Sequence, residues 1–398
     1  MKKLIKKNLQ LIAVSTGHFT NDFYMNLIPP ALFAFNASLG LTLAQQSMIA
    51  FIIITGGSLL QPVFGYFLDK IGKSSYLIYS IVWISLLMSI SGFISNYYLL
   101  IIISGLGSLA SSVYHPLGSS ITVSLSKGSR GKSLSIFMTI GSFAATFTPM
   151  ISIPVINQFG LKYLVFLMIP GFLVAFFLKY TGIEKIKCLF SEKRKAENNN
   201  LKNTSKHKVK WLSFIVFMCV IKVLFQRMIV VFGVQLMMMN GIGIITAGIV
   251  LSAHMFARSI GTLSGGYLSD RFGEKNVLIL FNLLSFIIYA LMIFSRGIWI
   301  IIGIILLGFI FNGTATANIT ITHHILPDNI NLGTGTIMGL PGTIGSFLML
   351  IFGKFADIYG LMEMAQLSAC LGLIPLLISL YISKKYDFIA EKPVLVQT

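Results

Sequence analysis

The chain has 398 residues, 55% of them hydrophobic and 11% charged, whereas soluble domains carry roughly 25% charged residues. This composition excludes a soluble globular protein and indicates a membrane protein with many spans. The formal net charge of +18 would also suit a nucleic-acid-binding protein. However, the basic residues cluster in short gaps between apolar runs and in one central segment, without the basic and aromatic surface that such a protein needs.

Apolar runs of about 20 residues, the length that crosses a bilayer, follow one another along the chain. We predict twelve membrane-spanning helices, at 9–36, 43–68, 75–94, 97–123, 133–157, 161–180, 211–239, 243–268, 276–295, 298–325, 332–357 and 361–383. The predicted fold is therefore an all-α membrane protein with two six-helix bundles, at 1–180 and 211–398. The segment at 181–210 is rich in Lys and Asn and is predicted to be a flexible cytoplasmic linker.

The distribution of basic residues predicts the orientation. They concentrate at the N terminus, after the second, fourth and eighth spans, in the central segment and at the end of the last span. The opposite loops carry little beyond Lys162 and Arg296. By the positive-inside rule, both termini are cytoplasmic in a multi-pass protein of the cell membrane. The basic start lacks a clear cleavage site and is predicted to be retained as the first helix.

The first span carries an ionisable residue, Asp22, near its mid-depth. His18 lies one turn before Asp22 on the same face. Charged side chains inside a membrane usually face a cavity or a partner, and removal of a carboxyl group from water favours its protonated form. We therefore predict that Asp22 carries a coupling proton with His18 beside it. The alternative is a structural ion pair that holds the first span to a neighbour.

Further polar residues mark the fourth, seventh, eighth and tenth spans. His115 precedes Pro116, which frees a backbone carbonyl, and it is either a functional residue or a hydrogen-bonded packing residue. The predicted substrate-binding residues are His115, Lys222, Gln226, Arg227, Arg258 and Asn312. Guanidinium groups grip phosphates and carboxylates in bidentate fashion, and Lys acts as a point charge. Structural pairing remains the alternative for each of the three cations.

A loop sequence occurs twice, once in each predicted bundle. GYFLDKIGKSSYLI contains Gly65, Asp69 and Lys70, and GYLSDRFGEKNVLI contains Gly266, Asp270 and Arg271. Internal repeats of this kind are typical of secondary transporters, whose substrate site lies at the interface between the repeats. We predict that both copies act as a cytoplasmic gate in which glycine permits close helix approach and Asp accepts hydrogen bonds. An ordinary Gly-Asp turn is the alternative.

The repeated motif resembles that of the major facilitator superfamily. Within it, the chain resembles the fosmidomycin-resistance efflux family, through His18-Phe-Thr-Asn21-Asp22, through the run from Ser58 to Tyr66, and through Ser111-Ser112-Val-Tyr114-His115-Pro116. The resemblance implies that the first, fourth, seventh and tenth spans line a central cavity. It also implies proton-coupled efflux of a small anionic or amphipathic compound such as fosmidomycin.

One departure from the superfamily pattern leaves the direction of transport open. Antiporters often carry a glycine-rich Gly-Pro motif in the fifth span, where this chain keeps only Gly141 and Pro149. The alternative is uptake of an organic anion, such as a sugar phosphate or a carboxylate, together with protons. A transport-inactive membrane sensor or a membrane enzyme is less well supported, because neither a signalling domain nor a nucleophile–base motif is recognisable.

The sequence predicts no cofactor and no metal site. The three cysteines, Cys188, Cys219 and Cys370, are scattered without the spacing of a metal site or a disulfide framework. The predicted partners are a small-molecule substrate, protons and the lipid bilayer, and we expect a monomer.

Overall fold

A computed structural model describes residues 2–61, 64, 73–125, 130–186, 206–326 and 330–385, and the described regular elements are all helices. In chain order they are α1 (Lys2–Met25), α2 (Leu32–Leu39), α3 (Leu43–Ser58), α4 (Tyr76–Ile90), α5 (Tyr97–Leu125), α6 (Arg130–Phe159), α7 (Met168–Tyr180), α8 (Lys206–Met239), α9 (Ile244–Phe272), α10 (Glu274–Phe294), α11 (Ile298–Asn312), α12 (Ala315–Ile325), α13 (Ile330–Tyr359), α14 (Leu361–Ser368) and α15 (Leu373–Lys384). The all-helical prediction is confirmed for this part of the chain.

Ten stretches of the described chain are long and apolar enough to cross a membrane. The helix α3, with 16 residues, is a shorter apolar helix. The helix α1 is not among the ten, and polar side chains such as His18, Asn21 and Asp22 dilute its apolar character. The chain is thus a multi-pass membrane protein, while the count of twelve spans and the orientation of the termini stay predictions.

The first predicted span, 9–36, is not one continuous helix. The helix α1 ends at Met25, a 3-10 turn follows at Pro29–Ala31, and α2 begins at Leu32. Two consecutive prolines explain the interruption, because each lacks a backbone N–H and Pro30 also restricts the residue before it. By contrast, α5 continues through Pro116. A capping box in which Thr42 and Gln45 exchange hydrogen bonds begins α3.

The chain forms two compact units. The first comprises Met1–Glu192 with Val230–Ser252, and the second comprises Lys193–Ile229 with Ala253–Thr398. The predicted domain limits at 180 and 211 stay a prediction.

The first unit has a buried apolar core that supports α1 and α5. Val14 of α1, Leu77 of α4, Tyr114 of α5 and Phe137 of α6 belong to one cluster of buried side chains. The Tyr114 hydroxyl donates a hydrogen bond of 2.6 Å to the Val14 carbonyl. Since this pair satisfies buried polar atoms on both helices, it fixes the register in which the polar residues of α1 face those of α5.

Candidate functional site

The carboxyl group of Asp22 lies between two imidazole rings in the first unit. Its Oδ2 atom is 3.4 Å from Nε2 of His18, one turn earlier on α1. Its Oδ1 atom is 3.4 Å from Nε2 of His115 on α5. The side chains of Asp22 and His115 are 22% and 27% exposed, whereas that of His18 is 3% exposed. The site is therefore closed on the side of His18 and partly exposed at Asp22 and His115.

Asn21 joins Asp22 to α5. The amide group of Asn21 donates hydrogen bonds to Oδ1 of Asp22, at 2.9 Å, and to the hydroxyl of Ser111, at 3.0 Å. Asn21 is fully buried. Both amide hydrogens are therefore committed, and the carboxyl group of Asp22 is held against α5.

The imidazole of His18 has a fixed position. Its Nδ1 atom lies 2.8 Å from the carbonyl oxygen of Phe137 on α6. A carbonyl oxygen only accepts hydrogen bonds, so Nδ1 carries a proton and Nε2 is the atom turned toward Asp22. The ring also stacks on the ring of Phe137, with centroids 4.1 Å apart and planes 15° apart. Gly141 leaves room for it, because a Cβ atom there would lie 2.3 Å from Cε1 of His18.

The predicted cations of the seventh and eighth spans all belong to the second unit. Lys222 of α8 is 4% exposed and donates a hydrogen bond to the hydroxyl of Thr314. Arg258 of α9 contacts Sδ of Met255 at 3.4 Å, while its buried Nε atom has no hydrogen-bond partner among the described residues. Arg227 lies on α8, five residues after Lys222, and is partly buried.

No carboxylate of the described residues lies within 4.0 Å of Lys222, Arg227 or Arg258. An unpaired charge inside a membrane costs about 2.5–3.5 kcal/mol on insertion scales. No ion pair of these three cations is therefore found among the described residues, and the role of each cation stays a prediction.

Gln226 and Asn312 link α8, α11 and α9. The amide of Gln226 donates to Oδ1 of Asn312 at 2.7 Å, and the amide of Asn312 contacts the backbone carbonyl of Arg258 at 3.4 Å. Gln226 and Asn312 thus help to position α9, the helix that carries Arg258.

Only the second copy of the predicted gate is described. Gly65, Asp69 and Lys70 lie outside the described residues. Asp270 and Arg271 are exposed at the end of α9, and the guanidinium of Arg271 lies 5.4 Å from the centroid of the Phe272 ring. A Cβ atom at Gly266 would be 3.4 Å from the hydroxyl of Thr316, which is ordinary contact. The gate stays a prediction.

Three residues of these sites were not assigned a role from the sequence. In the sequence, Asn21 was noted only as part of the family motif. Thr314 and Asn318 were not predicted to have a functional role. Thr314, Asn318 and Thr322 are buried and recur every four residues. Thr314 is the N-cap residue of α12, and the other two share one face of that helix. A search for polar residues at this spacing would have found them.

The chain matches known transporters along most of its length. The family described as Major Facilitator Superfamily matches residues 14–336. A fosmidomycin resistance protein of Escherichia coli (strain K12) is 25% identical over 361 residues, which cover 87% of this chain and 86% of that protein. An uncharacterized MFS-type transporter of Bacillus subtilis (strain 168) is 24% identical over 357 residues, with coverage of 88% and 87%.

Solved structures share the fold at low sequence identity. A bacterial homolog of the human lysosomal transporter Spinster, in an inward-facing and occupied conformation, has a TM-score of 0.80 and 13% identity, and covers 96% of this chain and 98% of its own. A nucleoside transporter, NupG, has a TM-score of 0.75 and 12% identity, with coverage of 94% and 99%. These likenesses support the fold.

Proposed function

Because the chain belongs to the major facilitator superfamily, whose members move small molecules across membranes, we propose that it exports a small anionic or amphipathic compound in exchange for protons. The resistance protein from Escherichia coli suggests a first compound to test, since fosmidomycin is a phosphonate. The observation that carries the proposal is the placement of Asp22, half-buried in a membrane helix between His18 and His115.

Asp22 is the proposed proton carrier. When the carboxyl group is ionised, the amide of Asn21 donates a hydrogen bond to it. When it is protonated, the group is neutral, and Nε2 of His18, 3.4 Å from Oδ2, is the acceptor that its hydroxyl would approach, because Nδ1 of His18 already donates to the carbonyl of Phe137. The side chains of Asn21 and His18 therefore accommodate both the ionised and the protonated form of Asp22. A group that gains and loses a proton in each cycle requires such surroundings.

The cations of the second unit are the proposed anion-binding groups. Lys222, Arg227 and Arg258 lack a carboxylate partner among the described residues, so an anionic substrate would be the partner that neutralises them. A phosphonate offers several oxygens to guanidinium groups and to the Lys ammonium. Gln226 and Asn312 would add polar contacts.

We propose that the transporter changes conformation only when either Asp22 or the group of cations is neutralised. This condition would make it exchange substrate for protons. Protonation neutralises Asp22, and substrate binding neutralises the cations. Gly65, Asp69 and Lys70, together with Gly266, Asp270 and Arg271, form the proposed cytoplasmic gate.

The test is flux of fosmidomycin in proteoliposomes with an imposed pH gradient. We expect gradient-driven flux in the unaltered protein and none in Asp22→Asn, because an amide keeps the shape of the side chain but does not exchange a proton. Asp357→Asn is the matched control, since Asp357 is exposed near the end of α13. Full gradient-driven flux in Asp22→Asn would rule out Asp22 as the proton carrier.

Uptake of an organic anion with protons is the second candidate. The depleted glycine pattern around Gly141 and Pro149 keeps this candidate open, because it departs from that of an ordinary antiporter. The same assay separates the two, because an antiporter moves substrate against the direction of proton flow and a symporter moves it along. Flux of substrate in the direction of the protons would establish uptake.

A further inference from the structure

We propose that His18, Asp22 and His115 form a binding site for a divalent transition-metal ion of the zinc type. The candidate ligand atoms of these residues all lie within 4.8 Å of one another. His18 and Asp22 come from α1 and His115 comes from α5, so a bound ion would cross-link the two helices. The proposal goes beyond the proposed function and concerns a ligand other than the substrate or the proton.

The distances in the cluster fit a metal better than direct hydrogen bonds. Each imidazole Nε2 is 3.4 Å from an oxygen of Asp22, which is longer than the usual hydrogen-bond length of about 2.7–3.2 Å. In a tetrahedral zinc site, with bonds of about 2.0–2.2 Å, neighbouring ligand atoms are about 3.4 Å apart. Each histidine is therefore at ligand spacing from one oxygen of Asp22, Oδ2 for His18 and Oδ1 for His115, and one ligand atom from each of the three residues lies within 4.8 Å of the others.

His18 is prepared as a metal ligand. Its Nδ1 atom is bound to the carbonyl of Phe137, which leaves the lone pair on Nε2, and this buried Nε2 has no hydrogen-bond partner among the described residues. Ligating histidines almost always bind a carbonyl or carboxylate through the other ring nitrogen, and this contact orients the ring. Asp22 is oriented in the same way by the amide of Asn21.

The ligand types select the metal. Two imidazoles and one carboxylate suit zinc and its neighbours cobalt and nickel, whereas magnesium and calcium require oxygen ligands. A fourth coordination position is open to water because Asp22 and His115 are partly exposed. His115 lies 93 residues after Asp22 in the chain, which is why the spacing of residues along the sequence did not predict the site.

The test is a calorimetric titration of the purified full-length protein, without an affinity tag, with Zn²⁺ and separately with Mg²⁺. We expect one Zn²⁺ site and no Mg²⁺ site. His115→Gln is expected to weaken Zn²⁺ binding by more than about tenfold, since even loss of an outer-shell contact costs 10–100-fold. Cys370→Ser is the matched control, because it removes an exposed thiol outside the cluster and should leave the affinity unchanged.

Two results of the titration would overturn the metal site. One is absence of Zn²⁺ binding to the folded protein, and the other is equal affinity in His115→Gln and the unaltered protein. X-ray absorption of the zinc-loaded unaltered protein decides the matter even if the variant does not fold. Nitrogen and oxygen neighbours would support the site, and sulfur neighbours would place the ion on cysteine and overturn it. The titration measures zinc binding and not transport. Its result therefore stays valid even if the proposed transport function is wrong.

Discussion

The imidazole of His18 occupies the space that a side chain at position 141 would fill. A Cβ atom on Gly141 would lie 2.3 Å from Cε1 of His18, and the ring cannot easily move away because it is bonded to the carbonyl of Phe137 and stacked on its ring. The glycine of α6 is thus part of the site of Asp22, although it contacts Asp22 only through His18.

We therefore predict that Gly141→Ala displaces His18. Proton-driven flux should fall by about tenfold or more, which corresponds to about 1.4 kcal/mol. The overpacked site should also lose about 1–3 kcal/mol of stability. Flux in proteoliposomes and thermal unfolding measure the two effects. Gly339→Ala is the control, since a Cβ atom there has open space. Unchanged flux in Gly141→Ala would show that the position of His18 does not matter for coupling.

Lys222 allows a test in which function and stability respond in opposite directions. Its ammonium group is buried against the hydroxyl of Thr314, with no carboxylate within 4.0 Å among the described residues. Replacing it with Met keeps the bulk and removes a costly charge. If Lys222 binds the substrate, Lys222→Met should raise KM for the anion by about tenfold and raise the unfolding temperature. Lys179→Met, at an exposed position, should change neither. A lower unfolding temperature with unchanged KM would indicate a structural role.

At the scale of elements, small residues set the spacing of α9 and α11. A Cβ atom on Gly261 would lie 2.1 Å from the carbonyl oxygen of Phe309, and one on Gly265 would lie 2.0 Å from that of Gly313. Gly261 and Gly265 form a Gly-x-x-x-Gly pattern, which is typical of close helix packing, and the structure shows that packing. The close approach belongs to Gly265 and not to Gly266 of the repeated motif.

This difference between neighbouring glycines gives a paired prediction. Gly265→Ala should destabilise the second unit by about 1–3 kcal/mol, because the added methyl group meets backbone that cannot rotate away. Gly266→Ala should be tolerated, since its nearest contact is 3.4 Å. Thermal unfolding of both variants in the same detergent is the measurement. Equal stability of the two variants would contradict the packing of α9 against α11.

The internal repeat is visible in the backbone as well as in the sequence. Gly160 has φ of 95° and precedes the 3-10 turn that leads into α7, and Gly360 has φ of 96° and precedes α14. Positive φ at these turns requires glycine. The same turn therefore recurs at a separation of 200 residues, which agrees with the spacing of the loop motif.

At the scale of the whole molecule, the sequence predicted the helices better than the contacts between them. Apolar length located most spans, because burial in lipid requires it. It failed in the first span, where α1 ends at Met25 and a 3-10 turn begins at Pro29. Helical periodicity identified the polar faces that carry Asp22 and Lys222. It could not identify their partners, His115 and Thr314, since only tertiary packing determines which faces meet.

The direction of transport is a property of the whole molecule and gives the last prediction. In a cell that maintains an inward proton gradient, an antiporter uses entering protons to expel the drug, whereas a symporter brings the drug in. Expression should therefore raise tolerance to fosmidomycin if the chain is an antiporter, and lower it if the chain is a symporter. Asp22→Asn, present at equal abundance in the membrane, should return tolerance to that of cells without the protein, because its carboxyl group no longer carries the proton. Reduced tolerance with the unaltered protein would reject export in favour of uptake.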